Sequence, residues 1–360
     1  MRKKRQMWFS QTYWLNYKNL KPVRISWHKG LNVIVGPNAS GKTNTLEALS
    51  MLCGWGQVQR GKLRDLVNWD SPGQAKLYSQ FDGEENISVV VSIQDKRTIS
   101  VAGKQCSAST LRLHVPCLSF WSDDVRLIEG SPAIRRNFLN HLCATIVPLY
   151  ARRLYDYRKL LRHKNYILRA GRYDDAVIKA MAPVAAWLWS YRRSIVDLLK
   201  LGLKEVSSHL VEFDFEVDIE EGNRDYYEDP LEAFYESLAF FKKEEIARKV
   251  SLVGPHRDDL RITVKGRPAF QALSRGQRRK LAVAFMMASA KVVEYKLKRS
   301  PIILLDEVTA ELDREGKEQL IKALFESNWQ VITATADEQL GYIEDFPAKV
   351  WHICRGGLSA

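Results

Sequence analysis

The segment Gly36-Pro37-Asn38-Ala39-Ser40-Gly41-Lys42-Thr43 constrains this chain more than any other stretch of it. It follows the pattern glycine, four residues, glycine, lysine, serine or threonine. The apolar run Leu31 to Val35 precedes it, and Leu46, Leu49 and Leu52 follow at helical spacing. A strand must therefore turn sharply into a helix. At such a turn the glycines let backbone N–H groups point inward, and the helix N-terminus adds its dipole. Lys42 supplies a point charge, and Thr43 offers a hydroxyl to Mg²⁺. This is a phosphate cradle of the P-loop type, suited to ATP.

Two further segments complete that chemistry. In Pro301 to Asp313 an apolar run ends in Asp306 and Glu307. That places both acids at the C-terminal end of a buried strand, where open α/β sheets hold their ligands. Asp306 suits the Mg²⁺ shell, and Glu307 can polarise the attacking water. Lys42, Asp306 and Glu307 are thus the expected catalytic residues, with Thr43 and Asp306 on the metal. In Leu273 to Ala288, Ser274, Gly276 and Gln277 open a helix whose mouth can bind an anion, as a second cradle would.

Strands alternate with helices at both ends of the chain, which implies an α/β fold. Residues 76 to 120 read as antiparallel strands, and Ser131 to about Leu210 as long helices broken near Gly171 and again near Pro183. The expected division is an N-terminal part of a nucleotide-binding lobe (1–130), a helical insertion (131–249) and the rest of that lobe (250–360). With 360 residues, 46% of them apolar, there is material for about two domains.

The 55 Lys and Arg outnumber the 42 Asp and Glu, a formal charge of +13 that points softly to a polyanionic partner. Five scattered cysteines, never in a CxxC pair, fit neither a disulfide framework nor a zinc site and suit a reducing cytoplasm. The basic start MRKKRQM runs into no apolar stretch, so no signal peptide is expected. No run approaches the ~20 apolar residues of a membrane span, and no membrane association is expected.

With its Leu-Ser-x-Gly-Gln segment the chain resembles the ABC-type ATPases. That resemblance implies that Ser274 and its helix cap the γ-phosphate bound to an opposite subunit, so that ATP is sandwiched in a dimer. Arg275 stands where glycine is usual, and Glu311 to Asp313 resemble the D-loop. Thr333 and Thr335 occur where transporters have a histidine. A Q-loop glutamine stays open among Gln57, Gln74 and Gln80. The insertion is short, since about 75 helical residues folded into a hairpin reach only ~55 Å, too little for the coiled coils of SMC-type proteins.

Leu118 to Leu142, with Gly-Ser-Pro-x-x-Arg-Arg-x-Phe-Leu, and Val253 to Leu260, with Gly-Pro-His-Arg-Asp-Asp, resemble the RecF family over nearly the whole chain. Departures are Ala39 where glycine is usual, Asn140 in place of aspartate, and an unmatched stretch at 54–75. The resemblance implies an ATP-dependent DNA-binding protein of recombinational repair and replication. It would clamp duplex, gapped or junction DNA as an ATP-driven homodimer, work beside recombination mediator proteins, and hydrolyse ATP slowly.

Candidate DNA contacts are Arg152, Arg153, Arg158, Lys159, Arg162 and Lys164, interleaved with tyrosines; a solvated helix face is the alternative reading. Arg135 and Arg136 read either as further contacts of this kind or as structural partners of Asp123 and Asp124 in an ion-pair network, and the roles of His256 to Asp259 stay equally open. A transporter motor subunit is the competing function, but its Q-loop and switch histidine are not evident. An ATP-gated nuclease would need a further domain after the last strands, for which no room is expected before Ala360. A scaffold that binds ATP without turnover is the remaining alternative.

Overall fold

The computed structural model describes residues 5–56, 61–71, 73–223, 228–308, 312, 314–337 and 340–359. The apolar runs assemble into a six-stranded sheet in the order Gly357–Ser359, Ala348–Cys354, Leu31–Val35, Val331–Thr335, Ile302–Asp306, Cys117–Phe120. All neighbours are parallel except the first pair. Alternate residues feed two different cores: Val33 and Leu305 face one, Ile34 and Leu304 the other. A sheet covered on both faces needs continuous apolar strands, which is what these runs are.

A second, antiparallel sheet contains Arg5–Leu15, Ala75–Gly83, Ile87–Ile93, Arg97–Val101 and Lys104–Gln105. Every second residue of Ala75–Phe81 is buried, so only one face of this sheet is covered. That face, with Phe9, Leu77 and Val91, closes over Leu46, Leu49 and Leu52 of the helix Lys42–Leu52. The helix is thus held between two sheets. Gln330 stitches them together: its amide donates to the Phe9 and His28 carbonyls, both at 2.9 Å, and accepts from the Phe9 N–H at 2.8 Å. The antiparallel expectation for 76–120 fails at its end. Ala108–His114 is a helix, and Cys117–Phe120 joins the parallel sheet beside Ile302–Asp306.

The helices Pro132–Ile146, Tyr150–Arg169, Asp175–Leu210, Pro230–Arg248 and Arg275–Leu297 share one apolar core with the other face of the parallel sheet. The break at Gly171 is present, and Asp174 caps the next helix by accepting from the Ala176 N–H at 2.8 Å. Pro183 does not break its helix. Met181, Ala182, Val184, Ala185, Leu188 and Trp189 around it are all buried, and their burial outweighs the roughly 3 kcal/mol cost of one interior proline. Strand Glu216–Glu220 pairs antiparallel with Asp259–Val264, so the insertion and the segment after residue 250 share a small sheet.

The Gly-Ser-Pro-x-x-Arg-Arg and Gly-Pro-His-Arg-Asp-Asp segments turn out to hold each other. Arg135 donates to both oxygens of Asp259, at 2.6 and 2.7 Å, and Arg136 donates to the Asp258 carbonyl at 2.8 Å. The structural reading of these arginines paired them with Asp123 and Asp124, their near neighbours in sequence. The topology instead sets the helix Pro132–Ile146 against the strand Asp259–Val264, and the carboxylate there accepts both donors of one planar guanidinium. Gly254 has φ +128°, and a Cβ there would lie 2.3 Å from the Tyr157 hydroxyl, so no side chain fits.

His256 links the same segment to the helix Tyr150–Arg169. Its Nδ1 lies 2.7 Å from the Tyr157 hydroxyl and its Nε2 3.1 Å from the Ser251 carbonyl. A carbonyl only accepts, so Nε2 carries the hydrogen and Nδ1 receives that of Tyr157. Burial holds this histidine down to about 4; the Ser251 carbonyl opposes that, and Arg257, Lys164 and Arg136 add to it. Its folded pKa lies below the unfolded ~6.5, so its stabilisation is complete above pH 6.5 and is lost as pH falls toward 4. A His256→Gln variant should therefore lose less stability than the parent between pH 7 and 5, by on the order of 1–2 kcal/mol. Urea melts at the two pH values measure this, and parallel pH dependences would refute it.

Candidate nucleotide site

The loop Gly36–Gly41 leaves the parallel sheet at the C-terminal end of Leu31–Val35, and the helix begins at Lys42. Gly41 sits at φ +115° and Ala39 at +63°. The left-handed conformation that glycine takes freely costs an alanine roughly 1 kcal/mol. Ala39 is the departure noted from the usual pattern, and it stands where that conformation is needed.

Lys42 is buried and folds back over the loop. Its Nζ donates to the carbonyls of Gly36 at 2.8 Å and Pro37 at 3.1 Å, and lies 3.2 Å from Glu307 Oε1. Thr43 donates its hydroxyl to Asp306 Oδ2 at 2.9 Å, 263 positions further along the chain. The two acidic residues diverge at once. Asp306 ends the strand, and Glu307 takes φ +56°, with its Oε2 accepting from the Ala336 N–H at 3.2 Å. A strained backbone beside a carboxylate aimed at the cradle fits a functional site.

Two buried polar atoms there, Ser40 Oγ and Asp306 Oδ1, have no partner among the described residues. Buried oxygens in proteins are rarely left unpaired. Burial also pushes Asp306 up; Glu307 adds to this, while Thr43 and Lys42 oppose it. A divalent cation would satisfy Oδ1 and oppose that upward shift. A threonine hydroxyl beside a carboxylate is a hard-oxygen donor set, which fits Mg²⁺.

A cleft of about 590 Å³ opens beside the first turn of the helix, lined among others by Lys18, Asn19, Asn44, Asp65 and Trp69. Lys18 is fixed there by buried Glu47 at 2.5 Å and by Asn44 at 3.1 Å. Glu47 also accepts from the Tyr17 hydroxyl at 2.7 Å. Neither Lys18 nor Glu47 was evident from the sequence. A glutamate in a helix turning under a phosphate cradle, with a lysine one strand away, was the only available signal.

Ser274 caps the helix Arg275–Leu297 reciprocally. Its Oγ accepts from the Gln277 N–H at 3.3 Å, and its N–H donates to Gln277 Oε1 at 2.9 Å. Ser274, Gly276 and Gln277 are exposed, so the helix mouth is open to an incoming group. Directly after Gln277, Arg278 meets Glu129 at 2.9 Å. That bond ties the helix to the turn following Cys117–Phe120, the strand beside Asp306. In that turn burial pushes Asp124 up to about 6; the Trp121 N–H it accepts opposes this and Asp123 adds to it. Gln80 lies within the antiparallel sheet and Gln74 just precedes it. Gln57, Glu311 and Asp313 lie outside the described residues, whereas Thr333 and Thr335 end up buried on the strand between Leu31–Val35 and Ile302–Asp306.

Of the candidate DNA contacts, Arg152, Arg153, Arg158, Lys159 and Arg162 are exposed on the helix Tyr150–Arg169. Lys164 is not available to a phosphate. It is buried, ion-paired to Glu245 at 2.8 Å and donating to Ser251 at 3.1 Å. Its position faces the core because it falls on the helix side that carries Tyr157 and Leu168, both buried.

Fold and site together define an ATPase head of the ABC type. The family model described as the RecF/RecN/SMC N terminal domain matches residues 10–345, and the chain belongs to that family. It is 27% identical to the DNA replication and repair protein RecF of Geobacillus thermodenitrificans, over 96% of this chain and 97% of that relative. It is 28% identical to that of Bacillus cytotoxicus, over 97% and 98%. Among solved structures it resembles the recombination mediator protein RecF with ATPrS, with TM-score 0.87, 22% identity and 98% of each chain covered. An Smc head bound to a domain of ScpA is more distant, at TM-score 0.57 and 16% identity, covering 98% of this chain and 96% of that one.

Proposed function

We propose that this chain is an ATP-dependent DNA-binding protein of recombinational repair and replication, working in the cytoplasm. ATP with Mg²⁺ closes two copies into a clamp on DNA, and slow, DNA-stimulated hydrolysis opens it. The single observation behind the ATP half is the bond from Thr43 to Asp306, which assembles the metal side of a P-loop site. The relatives' shared name supports the repair role, and the exposed arginines and Lys159 of Tyr150–Arg169 supply charge for phosphates.

In this reading Thr43 and Asp306 hold Mg²⁺, which when bound would neutralise charge developing on the phosphates. Lys42 moves from Glu307 to the β- and γ-phosphates. Glu307, released from that pair, orients the attacking water. The cleft by Asn19 and Asn44 takes the nucleoside. Ser274, Gly276 and Gln277 of the second copy close over the γ-phosphate, since their helix mouth is exposed and positively polarised. We also propose that residues 131–249 act as a lobe that moves with the helix Arg275–Leu297, because the helix Asp175–Leu210 packs along it.

The dimer is tested by Ser274→Arg. That variant should bind ATP with unchanged affinity yet remain a monomer in light scattering, while the parent doubles in mass with ATP and Mg²⁺. Losing the cap itself costs only about 1 kcal/mol, so the fold should persist. A variant that still doubled in mass would rule out the sandwich. Among the described residues no helix is long and apolar enough to cross a membrane; what speaks against the transporter alternative is the relatives' shared name, DNA replication and repair protein RecF.

A further inference from the structure

The helix Tyr150–Arg169 carries more than charge. Arg152, Tyr155, Lys159, Arg162, Tyr166 and Arg169 advance alternately by three and four positions, so they form one ridge. All six are exposed. Tyr157, Lys164 and Leu168 are buried on the opposite side, which fixes the ridge outward. Arg152 approaches Asp156 only to 3.8 Å, and Lys159, Arg162 and Arg169 have no carboxylate partner among the described residues. The two tyrosines are 62% and 70% exposed. Two large rings thus stand in water beside three cations that no carboxylate among the described residues neutralises.

We propose that this ridge is a tracking surface for single-stranded nucleic acid, with unpaired bases stacking on Tyr155 and Tyr166 and phosphates meeting Arg152, Lys159, Arg162 and Arg169. This rests on the DNA-binding reading above and narrows its substrate to one with an unpaired segment. A duplex keeps its base faces stacked on one another and would use only the cations. An unpaired strand offers a face to each ring, whatever its sequence. The ridge spans about 25 Å and the tyrosines stand about 16 Å apart, room for a few nucleotides between and around them.

The test is fluorescence anisotropy with labelled oligothymidine of about 15 nucleotides and a duplex of equal length, in the presence of ATP and Mg²⁺. Tyr155→Ala/Tyr166→Ala should weaken oligothymidine binding by about fivefold or more per ring and leave duplex affinity within twofold. Tyr155→Phe/Tyr166→Phe should keep the parent's affinity for both. Arg162→Ala/Arg169→Ala should weaken both and flatten the salt dependence. All these side chains are exposed, and an unchanged thermal midpoint confirms that each variant folds. Unchanged oligothymidine affinity in the double alanine variant, or a parent that binds duplex alone, overturns this inference and leaves the DNA reading standing. A parent that binds neither oligonucleotide removes the DNA reading, and this one with it.

Discussion

Replacing Glu307 by glutamine should leave ATP binding intact and reduce its hydrolysis about 10²-fold or more, the usual worth of a positioned general base. Replacing Lys42 by methionine should abolish binding itself. The two effects separate because the residues touch each other but serve different steps. Lys42 Nζ is shared between two loop carbonyls and Glu307, so its charge is already inside the cradle and needs only a short move to reach a phosphate. Glu307 is held by the Ala336 N–H at the strand end, and glutamine keeps that bond while losing the charge that draws a proton from water. Neither change should unfold the chain. Glu307 is 25% exposed and tolerates the loss of its ion pair, and methionine fills the volume of the lysine stem. Equilibrium binding of a fluorescent ATP analogue and steady-state phosphate release measure the two steps. If Glu307→Gln hydrolysed at the parent's rate, the water-orienting role would fall; if Lys42→Met bound ATP normally, the cradle would.

That much of the site was legible in the sequence because it is local. Eight consecutive residues build the cradle, and the run ending in Asp306 needs only to be a buried strand for its acid to reach Thr43. The fold class was legible for the same reason, since parallel strands covered on both faces write themselves as unbroken apolar runs. What stayed hidden depends on distant pairing. Arg135 finds Asp259 and not the nearby Asp124, because a helix and a strand far apart in sequence lie side by side. Lys164 looked like its exposed neighbours until the helix phase placed it against Glu245, 81 positions away. Pro183 looked like a break, and only the packing of both its neighbours explains the continuous helix.

Arg192 offers the largest expected effect on stability. It is 1% exposed and spends its guanidinium on four groups: the Tyr150 hydroxyl at 2.9 Å, the Pro255 carbonyl at 2.6 Å, Asn140 Oδ1 at 2.8 Å and the Asp258 carboxylate. Asp258, equally buried, also accepts from Trp189 Nε1 at 2.9 Å and the Gly222 N–H at 2.8 Å. Asn140, the departure from the aspartate usual at that position, is what receives Nη2. A second carboxylate beside Asp258 would leave one buried negative charge in excess, so asparagine balances this arrangement. Arg192→Met should cost about 3–5 kcal/mol, because it leaves Asp258 buried and uncompensated. Asp258→Asn alone should cost a similar amount. Arg192→Met/Asp258→Asn should cost clearly less than the sum of the two, since removing both charges removes the penalty each leaves behind. Urea denaturation of the four proteins gives the coupling directly. Strict additivity would mean that the pair does not interact energetically. The network also joins the helices Pro132–Ile146, Tyr150–Arg169 and Asp175–Leu210 to the segment Pro255–Asp258. Arg192→Met should therefore melt with a broadened transition, as the helices beside the exposed ridge loosen before the sheet that holds Lys42.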